Sequence, residues 1–271
     1  MSTLSGKLAA ALHGDMVPKF LATLDSSGKP NVVPIISLDA ADEKTLVFGE
    51  LFIWKTRNNL EVNPRVAAAV LTEDLQIWTM RATFRGFVDK GPLVEQMNAK
   101  DLFRYNAYVG VRRAAVFDLE EITGSWHVSK VNVAAELLPV KVYCSLCRSA
   151  GSEKLPPRVA EKFARSQSLK VLAFQDESGF PSIVPLFSLQ PTGSQTMLFG
   201  TRLFRKQLRG LKRGCKLAAS VITMDPIAYQ VKGTFEGTQL TPAGLLGKIK
   251  VDEVFSASPP LPGEPIDLHK R

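Results

Sequence analysis

A lysine and a threonine stand side by side where the sequence predicts that a loop leads into a helix. A strand is expected to end at Gly49, and residues with high helix propensity follow from Lys55 to Asn63. The first N–H groups of a helix have no intrahelical acceptor, so this position suits a phosphate group. Lys55 and Arg57 add positive charge, and the Thr56 hydroxyl adds a donor. The residues alone leave two interpretations open: a solvated basic loop with Thr56 as the helix N-cap, which the spacing favours, and a phosphate site.

Two cysteines, Cys144 and Cys147, form a Cys-x-x-Cys motif. Such a pair serves redox chemistry or supplies half of a zinc site. A zinc site needs two further ligands, for which only His127 and Cys215 are conceivable, so no metal is expected. The histidines have no serine or cysteine arranged as a nucleophile, which leaves nucleophilic hydrolysis without support. A G-x-G-x-x-G fingerprint and a P-loop are also missing from the sequence, which argues against Rossmann and P-loop nucleotide sites.

These residues must be positioned by a chain of 271 residues, of which 45% are hydrophobic and 22% charged. That composition excludes disorder as the main state. No apolar run reaches the roughly 18 residues of a membrane-spanning helix. The three cysteines cannot form a disulfide framework, so we expect a folded cytoplasmic protein without membrane contact. The net charge of +8 indicates an anionic partner without identifying it.

The chain repeats itself with an offset of 151 residues. The turn sequence Ser-Gly-x-Pro occurs at 27–30 and again at 178–181, and Thr-Phe-x-Gly occurs at 83–86 and again at 234–237. Of the 66 positions from 21 to 86, 23 are identical to their counterparts, far more than ordinary composition would give by chance. The sequence therefore predicts two homologous domains rather than one.

Each repeat has the predicted order strand, strand, strand, short helix, strand, strand, and a final strand closes it. Hairpins at such short intervals favour an antiparallel barrel, whose closure hides its edges. The strands of repeat one are expected at 20–24, 30–38, 45–48, 66–72, 75–88 and 113–122, and the last strand of repeat two at 248–255. Helices are expected around Leu4, Leu8 and Leu12 and at 55–63, 92–108 and 157–167, and an irregular tail at 258–265. The expected domains are repeat one at 1–135, a linker with Cys-x-x-Cys at 136–156, and a degenerate repeat two at 157–271.

Two motifs of repeat one resemble those of the pyridoxamine 5′-phosphate oxidase-like superfamily of FMN-binding split barrels. They are Gly-Lys-Pro-Asn-Val-Val-Pro at 28–34 and Trp-Lys-Thr-Arg-Asn-Asn-Leu-Glu-Val-Asn-Pro-Arg-Val-Ala-Ala-Ala-Val at 54–70. The resemblance covers about 16–122 and 157–255. Members are usually homodimers with FMN between two barrels. The resemblance therefore implies a mainly β protein with a few helices, in which two tandem split β-barrels pack as an intrachain pseudo-dimer around FMN and no second chain is required.

The resemblance also implies which residues contact FMN. Lys55 and Thr56 hold the phosphate, Asn59 lies one turn later, the second strand follows the isoalloxazine edge, and the loop after the third strand flanks the ribityl chain. The full implied set is Pro34, Ile35, Ile36, Ser37, Gly49, Glu50, Leu51, Phe52, Trp54, Lys55, Thr56 and Asn59. Trp78 is a second candidate to cover the ring, although aromatic side chains more often belong to the core. No catalytic acid or base is implied, because the flavin itself carries the chemistry.

Repeat two departs from this pattern. It has Lys206-Gln207-Leu208-Arg209-Gly210 where repeat one has Lys55-Thr56-Arg57-Asn58-Asn59, so one competent FMN site is expected. The same stretch is rich in basic residues, whose spacing places most of them on one face of a predicted helix. They are Arg202, Arg205, Lys206, Arg209, Lys212, Arg213 and Lys216. This face is either solvated or binds an anion such as a phosphorylated ligand; nucleic acid is the least supported partner, because Phe204 is the single aromatic there.

The function expected from the motifs is that of an FMN-dependent oxidoreductase of the flavin reductase-like type, with NAD(P)H or another electron donor as its partner. A non-catalytic FMN carrier or electron-transfer protein is the alternative with the same site. A third alternative is a relict barrel that binds another ligand, such as a deazaflavin or haem.

Overall fold

The computed structural model describes residues 3–4, 6–51, 53–100, 110–147, 154–225, 227–257 and 266. The chain divides into two compact units. Unit one comprises Met1–Ser26 and Pro34–His127, and unit two comprises Ser27–Val33 and Val128–Arg271. Each repeat supplies one seven-stranded antiparallel sheet, which confirms the predicted mainly β fold with two tandem barrels.

The first sheet has the strand order β2-β1-β5-β6-β7-β4-β3. Its strands are β1 (Lys19–Leu24), β2 (Pro30–Pro34), β3 (Asp39–Ala40), β4 (Thr45–Gly49), β5 (Arg65–Leu71), β6 (Gln76–Val88) and β7 (Ala114–His127). Helix α1 (Gly6–His13) precedes it, α2 (Trp54–Val62) connects β4 to β5, and α3 (Pro92–Asn98) follows β6. Leu4, Leu8 and Leu12 are buried, as their spacing predicted.

The second sheet repeats this topology. Its strands are β8 (Leu169–Gln175), β9 (Pro181–Pro185), β10 (Gln190–Pro191), β11 (Thr196–Gly200), β12 (Lys216–Ile222), β13 (Ala228–Thr241) and β14 (Gly244–Ser256). Their order, β10-β11-β14-β13-β12-β8-β9, is the order of the first sheet taken from its other edge. The first hairpin turn of each repeat has a glycine at positive φ, Gly28 at 76° and Gly179 at 79°, a conformation that glycine adopts without a steric penalty.

Apolar runs between turn signals form the buried strands. All residues of β1 and β4 are buried, as is β5 after its first residue. In repeat one the Phe117 ring centroid lies 5.4 Å from those of both Phe48 and Phe84. In repeat two, Phe199 and Phe235 pair at the matching positions, with centroids 6.1 Å apart. Such aromatic pairs stabilise a core beyond their buried area, and the two barrels use them in the same way.

Three predicted segments need correction or lie outside the described residues. The second strand ends at Pro34 rather than at Leu38, because the Leu38 N–H donates to the Ile35 carbonyl and turns the chain. Of the helix expected at 92–108, the structure describes α3 up to Asn98, and 101–109 lie outside the described residues, as does the tail at 258–265. No helix in the described part of the chain is long and apolar enough to cross a membrane.

The region predicted as a linker contains a long helix. Helix α4 (Lys130–Leu146) begins after Ser129, whose hydroxyl accepts from the Asn132 N–H at 3.1 Å. The domain boundary predicted after residue 135 therefore falls inside a continuous helix. Val140 and Cys144 of α4 are buried against Leu198 of β11 and Leu246 of β14, so the helix belongs to unit two. A further helix, α5 (Pro157–Ala164), precedes β8 near its predicted position.

The basic segment of repeat two does not form the predicted helix. The described residues contain there one 3₁₀ turn, Gln207–Gly210, where repeat one has the nine-residue helix α2. The basic side chains therefore share no helical face. Gly210 contributes to the difference, because it lies where repeat one has the helical residue Asn59 and glycine within a helix costs about 1 kcal/mol relative to alanine.

Candidate functional site

The start of α2 lies directly after the loop that leaves β4. Ile53 is the residue before the helix, and no side chain caps the helix N-terminus. The first turn contains no acidic residue. Thr56 is 2% exposed and lies within the first turn, so the alternative in which Thr56 is the N-cap is wrong. Trp54 is 51% exposed, and the Lys55 ammonium lies 6.0 Å from the centroid of its ring. The predicted helix start is confirmed, and it combines positive charge with the positive end of the helix dipole.

The Asn59 side chain connects α2 to strand β1 by a hydrogen bond. Its Nδ2 donates to the Thr23 hydroxyl of β1 at 2.9 Å, and both side chains are buried. In repeat two the counterparts are Gly210 and Phe174. A Cβ on Gly210 would lie 3.3 Å from the Phe174 ring, so the larger ring and the missing side chain belong together. The hydrogen bond of one repeat is replaced by apolar packing in the other.

This exchange predicts coupled effects of mutation. Thr23→Phe crowds Asn59, which costs about 1–3 kcal/mol, and Asn59→Gly removes a buried hydrogen bond and adds a glycine to the helix. The double variant copies repeat two, so its loss of free energy of unfolding should be smaller than the sum of the losses in the two single variants. We expect this difference to be about 1 kcal/mol or more in urea unfolding. The control combines Thr23→Phe with glycine at the exposed neighbour Asn58, where the two effects should add. If the losses of free energy of unfolding add in both double variants, the coupling between Thr23 and Asn59 is contradicted.

Glu50, a predicted ribityl-flanking residue, is held by an arginine. The Glu50 carboxylate accepts from Arg113 Nε at 2.6 Å and from its Nη2 at 2.9 Å, and the Glu50 N–H donates to the Arg113 carbonyl at 2.8 Å. The side-chain hydrogen bonds to Glu50 raise the pKa of the Arg113 guanidinium above its ordinary value. The Arg113 guanidinium also lies 4.7 Å from the Phe87 ring centroid. The pair clamps the loop after β4 to the start of β7, and it neutralises the acidic side chain nearest to the start of α2.

The segment from Pro34 to Ser37 is tied to its surroundings by backbone contacts. The Ile35 N–H donates to the Lys19 carbonyl at 2.8 Å, and Lys19 Nζ donates to the Ile36 carbonyl at 3.3 Å. The Ser37 hydroxyl donates to the Gly49 carbonyl at 3.3 Å. The structure thus brings the predicted second-strand residues next to the predicted loop after β4. Of the rest of the predicted set, Leu51 is half-buried and Phe52 lies outside the described residues.

A buried charged cluster next to this segment was not expected. Lys19 is fully buried, and its Nζ donates to the Leu12 carbonyl at 2.5 Å. The buried Asp39 carboxylate lies 2.6 Å from Lys100 Nζ and 2.7 Å from His13 Nδ1. Burial, followed by the nearby Lys100 charge, lowers the pKa of Lys19 to about 8. The recurrence of lysine at the matching position of both repeats, 19 and 170, was the sequence signal for this cluster.

In repeat two, a carboxylate from α4 lies against the residues that correspond to Ser37 and to the loop after β4. Glu136 Oε1 accepts from the Ser188 hydroxyl at 2.8 Å, and Glu136 Oε2 accepts from the N–H groups of Arg202 and Leu203 at 2.9 and 3.0 Å. The Gly200 N–H donates to the Ser188 hydroxyl at 3.0 Å. Ser188 and Gly200 correspond to Ser37 and Gly49, so the repeat-two loop already binds an anion, which the chain itself supplies.

Other candidates from the sequence belong to the core. Trp78 is buried on β6 beside Val70 of β5. Burial raises the pKa of Cys144 to about 12, so its thiol stays protonated at neutral pH and is a poor redox nucleophile, whereas Cys147 is exposed. Among the described residues, no group of three or more His, Cys, Asp or Glu side chains is arranged to hold a metal ion.

Solved structures that are similar to this chain each span less than half of it. An FMN-binding protein from Syntrophomonas wolfei is 14% identical over 45% of this chain and 85% of its own, with a TM-score of 0.38. HupZ from Group A Streptococcus is 18% identical over 46% of this chain and 94% of its own, with a TM-score of 0.38. The heme storage protein HutZ from Vibrio cholerae is 18% identical over 44% of this chain and 90% of its own, with a TM-score of 0.32. No protein-family model and no curated protein matches the chain. Each of these three similarities thus spans most of the solved chain and less than half of this one.

Proposed function

We propose that the protein binds FMN through repeat one and acts as an FMN-dependent oxidoreductase. The observation that carries this proposal is the start of α2, where Lys55, a first turn without acidic residues and a helix N-terminus without a side-chain cap lie together. This donor set fits a phosphate dianion, because backbone N–H groups and a lysine ammonium both favour negative charge. The clamp between Glu50 and Arg113 keeps the neighbouring carboxylate from opposing that charge.

The residues of the chain have three tasks in this proposal. Lys55 and the first turn of α2 bind the phosphate, and the backbone from Pro34 to Ser37 orients the ring by hydrogen bonds. The buried Lys19 ammonium, which holds the Ile36 carbonyl, contributes positive potential beside that segment. FMN supplies the hydride or electron chemistry when bound, so no side chain has to act as an acid or a base.

Repeat two is proposed to lack a second FMN site. Its helix start is reduced to a 3₁₀ turn, and Glu136 occupies the N–H groups of the loop that corresponds to the repeat-one loop after β4. Three donors bind the buried Glu136 carboxylate, and a phosphate or a ribityl hydroxyl would have to displace this carboxylate from them. We therefore expect one FMN per chain.

Titration of the cofactor-free protein with FMN tests this proposal. We expect quenching of flavin fluorescence to saturate at one FMN per chain. Because a hydrogen bond to a charged group contributes about 1.5–3 kcal/mol, Lys55→Ala should weaken binding about tenfold or more. Lys206→Ala, the matched variant in repeat two, should leave the affinity unchanged. Two FMN per chain, or equal losses in the two variants, would contradict the asymmetric site.

The reaction is tested separately on the FMN complex. Rapid bleaching of the oxidised flavin band by NADH or NADPH supports a reductase. Binding without bleaching by either donor, but with bleaching by dithionite, indicates the carrier or electron-transfer alternative. Because one similar solved structure is a heme storage protein, the titration is repeated with haem and with a deazaflavin. Preference for either over FMN would indicate the relict-barrel alternative.

A further inference from the structure

Unit two contains a cavity of about 350 Å³ that the proposed FMN site does not use. It is about half open to solvent and lies at the edge of the second barrel, where strands β11, β13 and β14 meet the basic segment that follows β11. Its volume falls in the range of about 300–1,000 Å³ that is typical of small-molecule pockets. All of the residues that line it lie within the described part of unit two.

The inner wall of the cavity is apolar. Phe199 and Phe235 form part of it, and their ring centroids lie 6.1 Å apart. Leu208 and Leu211 of the basic segment form the facing wall, and both side chains are buried. Such walls favour an apolar or aromatic body, because ligand transfer from water to this surface contributes about 25 cal/mol per Å² buried.

Two arginines stand at the edge of the cavity. Arg205 and Arg213 both line it and are exposed, and neither forms an ion pair with any residue that the structure describes. The neighbouring Lys212 is different, because its Nζ lies 2.7 Å from Glu177 Oε1. The aliphatic stem of Arg213 lies over Gly237, which leaves its guanidinium at the edge. Two guanidinium groups that form no ion pair within the described part of the chain stand beside an apolar wall and match an organic anion, since guanidinium groups bind carboxylate, sulfonate and phosphate oxygens in pairs.

One substitution between the repeats places a smaller, exposed side chain at the mouth of this cavity. Thr238 occupies the position that corresponds to Phe87 in repeat one. There, the Phe87 ring packs edge to face on Phe84 with the centroids 5.0 Å apart. The two positions are comparable, because β6 and β13 each have a register shift at the glycine that precedes them. Repeat two therefore lacks a ring at a place where repeat one is filled.

We propose that repeat two binds a small aromatic anion in this cavity, with the ring system between Phe199, Phe235 and Leu208 and the anionic group on Arg205 and Arg213. This site assigns a role to the basic segment that the FMN proposal leaves unused. It is independent of FMN, because it uses none of the residues implied in cofactor binding and belongs to the other repeat.

Binding of 8-anilino-1-naphthalenesulfonate, an aromatic sulfonate whose fluorescence rises in apolar surroundings, tests the proposal on the full-length protein. We expect one saturable site per chain. Thr238→Phe restores the ring of repeat one and should weaken binding about tenfold or more, whereas Thr238→Val, which keeps the cavity, should not. The double change Arg205→Ala and Arg213→Ala should also weaken binding about tenfold. Arg209→Ala is the matched control, because Arg209 is exposed on the same segment and does not line the cavity.

Three results would overturn the proposal. The first is unchanged binding in a Thr238→Phe variant that unfolds cooperatively. The second is an equal loss in the Arg209→Ala variant and the double arginine variant, which would indicate general attraction to the basic surface. The third is loss of the dye site in Lys55→Ala, which would place the dye in the proposed FMN site. If Thr238→Phe does not fold, the arginine comparison alone decides the outcome.

Discussion

Replacing Asp39 by asparagine is expected to lower the free energy of unfolding by about 3–5 kcal/mol, the typical cost of removing one partner of a buried ion pair. The Asp39 carboxylate is buried between Lys100 Nζ, at 2.6 Å, and His13 Nδ1, at 2.7 Å. Without it, Lys100 and the fully buried Lys19 keep, among the described residues, only the more distant Asp15 carboxylate, 4.0 Å from Lys100 Nζ, as compensating charge. Urea unfolding at neutral pH measures the loss.

The matched control for this change is Asp118→Asn. Asp118 forms an ion pair with Arg85, but both side chains are about half exposed, so its loss should cost less than about 1 kcal/mol. Asp39 also raises the pKa of Lys19, so that pKa should fall further in Asp39→Asn. Between that lower pKa and about 8, only the folded variant has lost the proton that the unfolded lysine keeps, so the deficit of the variant should narrow as the pH rises toward 8 and stay level above it. Equal costs for the two aspartates would contradict the role of the cluster.

Replacing Lys170 by methionine is expected to stabilise the protein at neutral pH. Lys170 is fully buried, and its Nζ donates to the Arg165 carbonyl at 2.9 Å. Burial, followed by the Lys141 charge, lowers its pKa from 10.5 to about 7. Each unit of such a shift corresponds to about 1.4 kcal/mol, and the lost hydrogen bond offsets about 1 kcal/mol, so we expect a gain of about 2–4 kcal/mol at pH 7.

The sign of the pH dependence follows from which state holds the proton. Between pH 7 and 10.5 the unfolded chain binds the Lys170 proton and the folded chain does not, so stability should rise with pH across this window and stay level below it. Urea unfolding from pH 6 to pH 10 should show this rise in the parent protein and a smaller rise in Lys170→Met, where the lowered pKa of Lys19 still makes stability increase above about pH 8. Lys248→Met, a change at an exposed ion pair, should keep the rise. A rise of the same size in all three proteins would refute the assignment to Lys170.

The parts of the fold that could be predicted from the sequence were those with local signals. Turn residues around Gly28, the apolar runs of β4 and β5, and the helix propensity after Trp54 each act within a few residues. The 151-residue offset then predicted the second sheet from the first. Helix α4 was not predicted, although Leu137, Val140 and Cys144 have helical spacing, because the segment with the Cys-x-x-Cys motif was predicted to be a linker between the two repeats.

The errors arose where tertiary contacts decide the structure. The apolar run after Pro34 reads as a continuing strand, and the turn at Leu38 exists because of its bond to Ile35. Within the candidate site, the helix start at Lys55 was predictable, whereas the inward direction of Thr56 depends on how α2 packs. Glu136 and Ser188 are in contact although they lie 52 positions apart in the sequence, so no local sequence pattern predicts this contact.

That carboxylate makes the divergence of the two repeats hard to reverse. Restoring threonine at Gln207 and asparagine at Gly210 would rebuild the motif of repeat one, yet Glu136 would still reach the N–H groups of Arg202 and Leu203. As part of the same chain it competes at an effective concentration in the millimolar range or above, which a free cofactor in a cell does not match. While Glu136 holds these N–H groups, restoring the motif alone would not open the loop of repeat two to a phosphate. A return to two equal sites would therefore also require the loss of the Glu136 carboxylate.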